Sequence, residues 1–281
     1  MRCFLILLFS LAFSYLHCTK KTLPVAGVPS LPSTQLIREW KFESAPTWND
    51  EFTTDGKPDA TKWGYDTGGS GWGNNELEYY TAGNNVNIKN GILIIETRRE
   101  EKDGRKYTST RLVSKNKGDF LYGRFEAKAK LPRGRGLWPA IWMLPTDWVY
   151  GGWPKSGEID ILEQVGYDPL KVHMSVHTES YNHVKGTQKS AFTTVPTAME
   201  AFHLYRVDWT PDRIQGYIDD VLVFTFENER KTFNEWPFDK KFHWLLNVAV
   251  GGNWGGAQGV DDSIFPATME IDYVRVYKLI Q

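Results

Sequence analysis

Within Glu158-Ile159-Asp160-Ile161-Leu162-Glu163 three carboxylates share an apolar run, and no other stretch of the chain restricts its fold as strongly. Polar and apolar residues alternate from Glu158 to Ile161, which is the period of a strand with one wet face and one buried face. Glu158 and Asp160 therefore point the same way. Glu163 lies at an odd offset from Glu158, so a regular strand would turn its charge toward the core, where an unpaired carboxylate is expensive. A one-residue β-bulge around Ile161-Leu162 returns it to the wet face, and bulges often re-aim side chains beside active sites. The segment predicts a bulged strand that lines up three acids on one surface.

Two carboxylates about 5 Å apart across a glycosidic bond are the apparatus of a retaining glycosidase. Same-face neighbours in a strand are roughly 6.8 Å apart at Cα, a gap that flexible side chains can close. The alternative is a solvated strand face, but adjacent like charges repel, and a face chosen for solubility would mix in Lys or Thr. A net charge of −1 gives no electrostatic case for a nucleic-acid partner. Aromatic residues make up 14% of the chain, with 12 Trp and 13 Tyr, more than a core of this size needs. Part of that surplus suits a cleft that covers the apolar faces of sugars, and the remainder packs between sheets.

Strand signals dominate the rest. Asn90-Gly91 separates Val86-Asn87-Ile88 from Ile92-Leu93-Ile94-Ile95, and Asp219-Asp220 separates two further apolar-rich runs, so both read as hairpin turns. Tyr122 to Leu131 alternates cleanly, and further strands are expected at 203–209, 213–218, 221–226, 242–250 and 269–277. The helical hints are short, such as Pro196 to Glu200. Many strands, few helices and frequent Gly, Asn and Asp turns predict an all-β sandwich of two antiparallel sheets of jelly-roll type. Trp138 and Trp142, at an even offset, would share one face and could stack sugars beside the acids.

Met1-Arg2 followed by an apolar run from Cys3 to Leu16 predicts a secretory signal over residues 1–18 and an exported mature protein. Cys18, directly after that run, is placed as a lipoprotein attachment cysteine would be, which would tether the protein to a membrane, although Tyr15-Leu16-His17 departs from the usual pattern. Cys3 and Cys18 are the two cysteines of the chain, so the folded domain holds no internal disulfide. Residues 19–37, with Pro24, Pro29 and Pro32 and no period, read as a linker, and residues 38–281 as one catalytic domain.

Trp138-Pro139-Ala140-Ile141-Trp142-Met143-Leu144, Gly157 to Glu163 and Asn247-Val248-Ala249-Val250-Gly251-Gly252-Asn253-Trp254, in that order, resemble glycoside hydrolase family 16, most closely its laminarinases. The likeness extends from Trp72-Gly73-Asn74-Asn75-Glu76-Leu77-Glu78-Tyr79-Tyr80-Thr81 to Ile271-Asp272-Tyr273-Val274-Arg275-Val276-Tyr277. It implies a concanavalin-like β-jelly roll with a concave substrate cleft, Glu158 as nucleophile, Glu163 as general acid/base and Asp160 tuning both. Members with an unbulged motif, which cut mixed-linkage β-glucan, have the second Glu one residue earlier, where this chain has Leu162.

By the same resemblance Asn75, Arg111, Trp138, Trp142, His177 and Trp254 would bind substrate, and Gly91 with Asp272 would hold a structural Ca²⁺. No catalytic cofactor is implied. The expected partner is a β-glucan polysaccharide, acted on by a monomer. On its own, His177 reads as a structural histidine, and His173, four residues earlier, completes no metal-ligand spacing with it. The competing readings are a β-glucan-binding module, a hydrolase of mixed-linkage glucan or of an agar-type galactan, and a transglycosylase.

Overall fold

Both hairpin turns form where the sequence places them, and for the expected reason. Asn90 and Gly91 take φ of 53° and 76°, Asp219 and Asp220 take 48° and 64°, and each pair closes a two-residue connection between antiparallel strands. Positive φ at both central residues matches the twist of the flanking strands, and Asn, Asp and Gly tolerate it best.

The computed structural model describes residues 39–280. The predicted signal at residues 1–18, with Cys18, and the linker at residues 19–37 lie outside them. Two antiparallel sheets dominate. One runs in the order Lys189–Thr194, Lys171–His177, Glu158–Glu163, Leu137–Pro145, Phe242–Val250, Arg111–Val113, Gly64–Asp66, with Asp119–Phe120 also paired to Phe242–Val250. We call it the cleft sheet. The opposing sheet runs Val221–Glu227, Arg213–Ile218, His203–Trp209, Gly123–Lys130, Ala267–Tyr277, Ile92–Thr97, Val86–Lys89, with Trp48–Asp50 beside Ala267–Tyr277. The strands expected from alternation recur within two residues at each end.

Between the sheets the fully buried rings of Phe125, Trp209, Phe242 and Trp244 meet at centroid separations of 5.2–5.9 Å. Rings in this arrangement contribute both buried area and edge-to-face attraction. Phe242–Val250, central in the cleft sheet, is buried at every position, because one face meets the core and the other forms the cleft floor. The only helical segments among the described residues are the 3₁₀ turns His183–Lys185 and Asp262–Ile264. Pro196 to Glu200 forms a turn instead of a helix, closed by Glu200 N–H donating to the Thr197 carbonyl at 2.9 Å.

Gly91 and Asp272, expected to hold Ca²⁺, lie in the turn before Ile92–Thr97 and on the neighbouring strand Ala267–Tyr277. The Asp272 carboxylate is 2.9 Å from Lys128 Nζ, so its charge is met by an ammonium group. No helix among the described residues is long and apolar enough to cross a membrane.

Candidate active site

The acidic segment forms the strand Glu158–Glu163, and the bulge is where the odd spacing requires it. Against Leu137–Pro145, Leu162 and Asp160 oppose the consecutive residues Ile141 and Trp142, which leaves Ile161 as the extra residue. The pairing with Lys171–His177 slips over the same interval. Ile159, Ile161 and Leu162 are fully buried, while Glu158 and Glu163 are half-buried and line the cleft with Asp160. Gly157, just before the first acid, has φ 89°, and a Cβ there would come within 2.9 Å of Pro237 and 3.0 Å of Phe238. Only glycine suits both restrictions.

Each acid has its own partners. Trp153 Nε1–H donates to Glu158 Oε2 at 2.9 Å, and Trp138 Nε1–H donates to Glu163 Oε1 at 3.1 Å. Ser175 Oγ–H donates to Asp160 Oδ2 at 2.5 Å, with Glu163 Oε2 at 3.4 Å as its more distant neighbour. His177 Nε2 lies 3.4 Å from Asp160 Oδ2 and 3.7 Å from Glu158 Oε1, so the ring supports the acids from below. Glu158, Asp160 and His177 also form the one His and carboxylate group among the described residues compact enough to hold a metal ion.

Around the acids lies a cleft of about 310 Å³ lined by Trp72, Asn74, Glu76, Arg111, Trp138, Trp142, Trp148, Trp153, His183 and Asn247, among others. Trp138 and Trp142 share this face, as their even offset requires. The Arg111 guanidinium is held between the rings of Trp72 and Trp142, 4.7 and 4.8 Å from their centroids, and its Nε donates to Asp66 Oδ2 at 3.2 Å. Trp254, half-buried, packs edge-on against Trp138 at 5.4 Å and is not itself among the lining residues. Asn75 stands outside the lining, exposed at φ 57°, and donates from Nδ2 to Asn253 Oδ1 at 2.8 Å. Its neighbours Asn74 and Glu76 line the cleft.

Several contributors escaped the sequence reading. Trp153 and Trp148 come from the irregular connection before Glu158, His183 comes from a 3₁₀ turn, and Ser175 is an unremarkable position on the adjacent strand. The signal for Ser175 was available: in the regular antiparallel register that pairs Glu158 with His177, it is the cross-strand neighbour of Asp160.

Burial, reinforced by the Asp160 charge, pushes Glu158 up to about 8, although His177 and the Trp153 N–H act in the opposite direction. The same two causes push Glu163 well above the usual carboxylate range. Burial disfavours the charged form of His177, but its hydrogen bond to Asp160 and the surrounding carboxylates outweigh that and bring it up to about 9.

These shifts have the same sign in their effect on stability. A carboxyl with a raised folded pKa carries a penalty that is absent below its unfolded value of 4.5 and grows as pH rises toward the folded value. A histidine raised from 6.5 contributes stability that is complete below that pH and is lost as pH rises through about 9. Stability should therefore fall as pH rises between 5 and 9. Glu158→Gln removes one buried charge, so thermal unfolding should show it more stable than wild type by ~2 kcal/mol at pH 8, with no gain near pH 4.5. A gain of equal size at both pH values would contradict this.

Comparison with known proteins agrees with the geometry. Residues 73–275 match the family model for glycosyl hydrolases family 16. A β-glucanase from Rhodothermus marinus is 53% identical over 243 residues, covering 83% of this chain and 85% of that protein. A glucan endo-1,3-β-glucosidase from Cryptopygus antarcticus is 39% identical over 246 residues, covering 81% and 90%. The crystal structure of the laminarinase from Rhodothermus marinus superposes with a TM-score of 0.84 at 51% identity, covering 87% of this chain and all of that one. Its jelly roll is the sandwich described above, and the chain belongs to glycosyl hydrolases family 16.

Proposed function

We propose that this cleft hydrolyses internal β-1,3-glucosidic bonds of laminarin-type β-glucans by double displacement, with Glu158 as nucleophile and Glu163 as general acid and base. The observation that carries the reading is the bulge at Ile161, which brings both glutamates to the cleft face. Similarity to a β-glucanase and to a glucan endo-1,3-β-glucosidase supports the substrate class.

Division of labour follows from the partners of each acid. The Trp153 N–H and the nearby His177 ring favour a charge on Glu158, which then attacks the anomeric carbon. Glu163 Oε1 accepts from Trp138, leaving Oε2 to carry the proton that goes to the departing sugar oxygen. Once Glu158 is esterified its charge no longer raises Glu163, and the ionised Glu163 can take a proton from the incoming water. Asp160, between them and anchored by Ser175, couples the two titrations.

The cleft itself argues against an anionic galactan. Arg111 is the one Lys or Arg among the described residues that line it, and it already serves Asp66, whereas four carboxylates face the same space. A sulfated polymer would meet repulsion there. Incubation with laminarin, mixed-linkage β-glucan and agarose, followed by reducing ends and product sizes, should show laminarin cut fastest into short oligosaccharides. Cleavage of agarose with laminarin left intact would overturn the substrate assignment.

Export by the segment at residues 1–18, with or without a tether at Cys18, suits a polymeric substrate degraded outside the cell. A Ca²⁺ at Asp272 would have to draw that carboxylate away from Lys128 and complete its shell with backbone oxygens such as that of Gly91 and with water.

A further inference from the structure

Beneath the cleft wall, away from the three acids, lies a second carboxyl pair. Glu76 lines the cleft; Glu78, two residues on, is 0% exposed. Glu78 Oε2 accepts the backbone N–H of Val250 at 2.6 Å, while Glu78 Oε1 is buried with no donor near it. Glu76 is in the opposite condition, surrounded by donors. Its Oε2 accepts from Tyr80 Oη–H at 2.9 Å and its Oε1 from Asn74 Nδ2 at 3.2 Å.

From Glu76 a directed chain of hydrogen bonds leads to the substrate face. Asn247 Nδ2 donates to Tyr80 Oη at 3.0 Å, and Trp142 Nε1–H donates to Asn247 Oδ1 at 2.7 Å. The direction is forced link by link. The indole can only donate, so the Asn247 oxygen faces Trp142 and its amide nitrogen faces Tyr80. Tyr80 thus accepts from Asn247 and must send its own proton to Glu76, which works only if Glu76 is an acceptor at that oxygen. Trp142 in turn forms one side of the slot that holds Arg111. Two ionised carboxylates side by side in a buried site are costly, whereas a carboxyl that donates to a carboxylate satisfies both.

We propose that Glu76 and Glu78 share a single proton, carried by Glu78, and that this pair positions Asn247 and Trp142 for glucan binding through Tyr80. Burial and the Glu76 charge raise Glu78 well above the usual carboxylate range, in agreement with a proton resident there. Neither carboxyl takes part in the displacement. Both are positioning residues, and Glu76 in addition presents an acceptor to the cleft.

The kinetic part of the test rests on the laminarinase reading, and the spectroscopic part does not. Glu78→Leu, which removes the donor, should raise KM for laminari-oligosaccharides roughly tenfold with kcat changed less than about threefold. A merely unfolded fraction would lower apparent kcat and leave KM alone. Glu78→Gln retains a donor and the shape, and should recover most of the loss. Glu76→Gln places an N–H₂ where Tyr80 or Asn74 donates, and should raise KM like Glu78→Leu, so the proposal stays testable if Glu78→Leu does not fold. In infrared difference spectra at pH 7, wild type minus Glu78→Gln should show the C=O stretch of a protonated carboxyl.

Carboxylate bands in that difference would overturn the shared proton. A KM near wild type in Glu76→Gln, or a Glu78→Gln as impaired as Glu78→Leu, would overturn the positioning role. Failure of the wild type to cut laminarin would count against the substrate assignment alone, because the infrared result would still decide where the proton resides.

Discussion

Glu158→Gln should lower laminarin hydrolysis by at least about 10⁴-fold while the protein still folds and binds laminari-oligosaccharides. The amide retains the shape of the side chain and can still accept from Trp153 Nε1–H, which reaches Glu158 Oε2 at 2.9 Å. It cannot form the glycosyl ester, and no other group at the site replaces it. Asp160 is buried, and its Oδ2 already accepts a hydrogen bond from Ser175. Tryptophan fluorescence titration would follow binding, because Trp138, Trp142 and Trp153 all line the cleft. Retained binding with lost turnover separates chemistry from folding. Turnover within tenfold of wild type would remove Glu158 from the nucleophile's role.

Glu163→Ala should divide the reaction into its two steps. On laminarin, whose leaving sugar needs a proton, the loss should be about 10²–10⁴-fold. On an aryl β-glucoside of a laminari-oligosaccharide, whose phenolate leaves unaided, formation of the glycosyl-enzyme should continue and its hydrolysis should stall. The expected trace is a burst of phenol followed by a slow steady state. Azide, a small nucleophile that needs no general base, should restore the steady rate and yield a β-glycosyl azide. A uniform loss on both substrates with no rescue by azide would show that Glu163 acts by position and not by proton transfer. The Trp138 N–H, 3.1 Å from Glu163 Oε1 in wild type, would lose its partner, so some loss of sugar binding through Trp138 is expected as well.

Much of the site was legible in the sequence because regular strands obey a strict period. The odd spacing of Glu163 demanded a bulge, since the alternative was a charge in the core, and Ile161 supplies it. Trp138 and Trp142 shared a face for the same reason. Where the period ends, the reading loses its basis. In Trp72 to Thr81 the positive φ of Trp72, Gly73 and Asn75 turns successive residues in directions that no alternation describes, so Asn74 and Glu76 line the cleft while Asn75 between them is exposed. The alternation of Glu76-Leu77-Glu78 even inverts the usual rule. Both acids are buried and Leu77 is 40% exposed, because the carboxyls find the Val250 N–H and the Tyr80 hydroxyl beneath the cleft wall.

Two partners of the acids come from outside the alternating run itself. Trp153, five residues before Glu158, turns back to it from an irregular stretch, and Ser175 faces Asp160 in the regular register that also pairs Glu158 with His177. His177 was expected beside the acids through family likeness, whereas its residue type and spacing suggested a structural ring. The geometry reconciles the two: it is buried and structural in position, and its Nε2 lies within 4 Å of two of the three acids.

The most direct measurement is the anomeric configuration of the first sugar released from laminarin, read by proton NMR in the minutes before mutarotation. Two displacements at one carbon, the first by Glu158 and the second by water activated by Glu163, retain configuration, so the β-anomer should appear first and the α-anomer should follow only as mutarotation proceeds. Initial release of the α-anomer would mean a single displacement by water, and would contradict a covalent intermediate on Glu158.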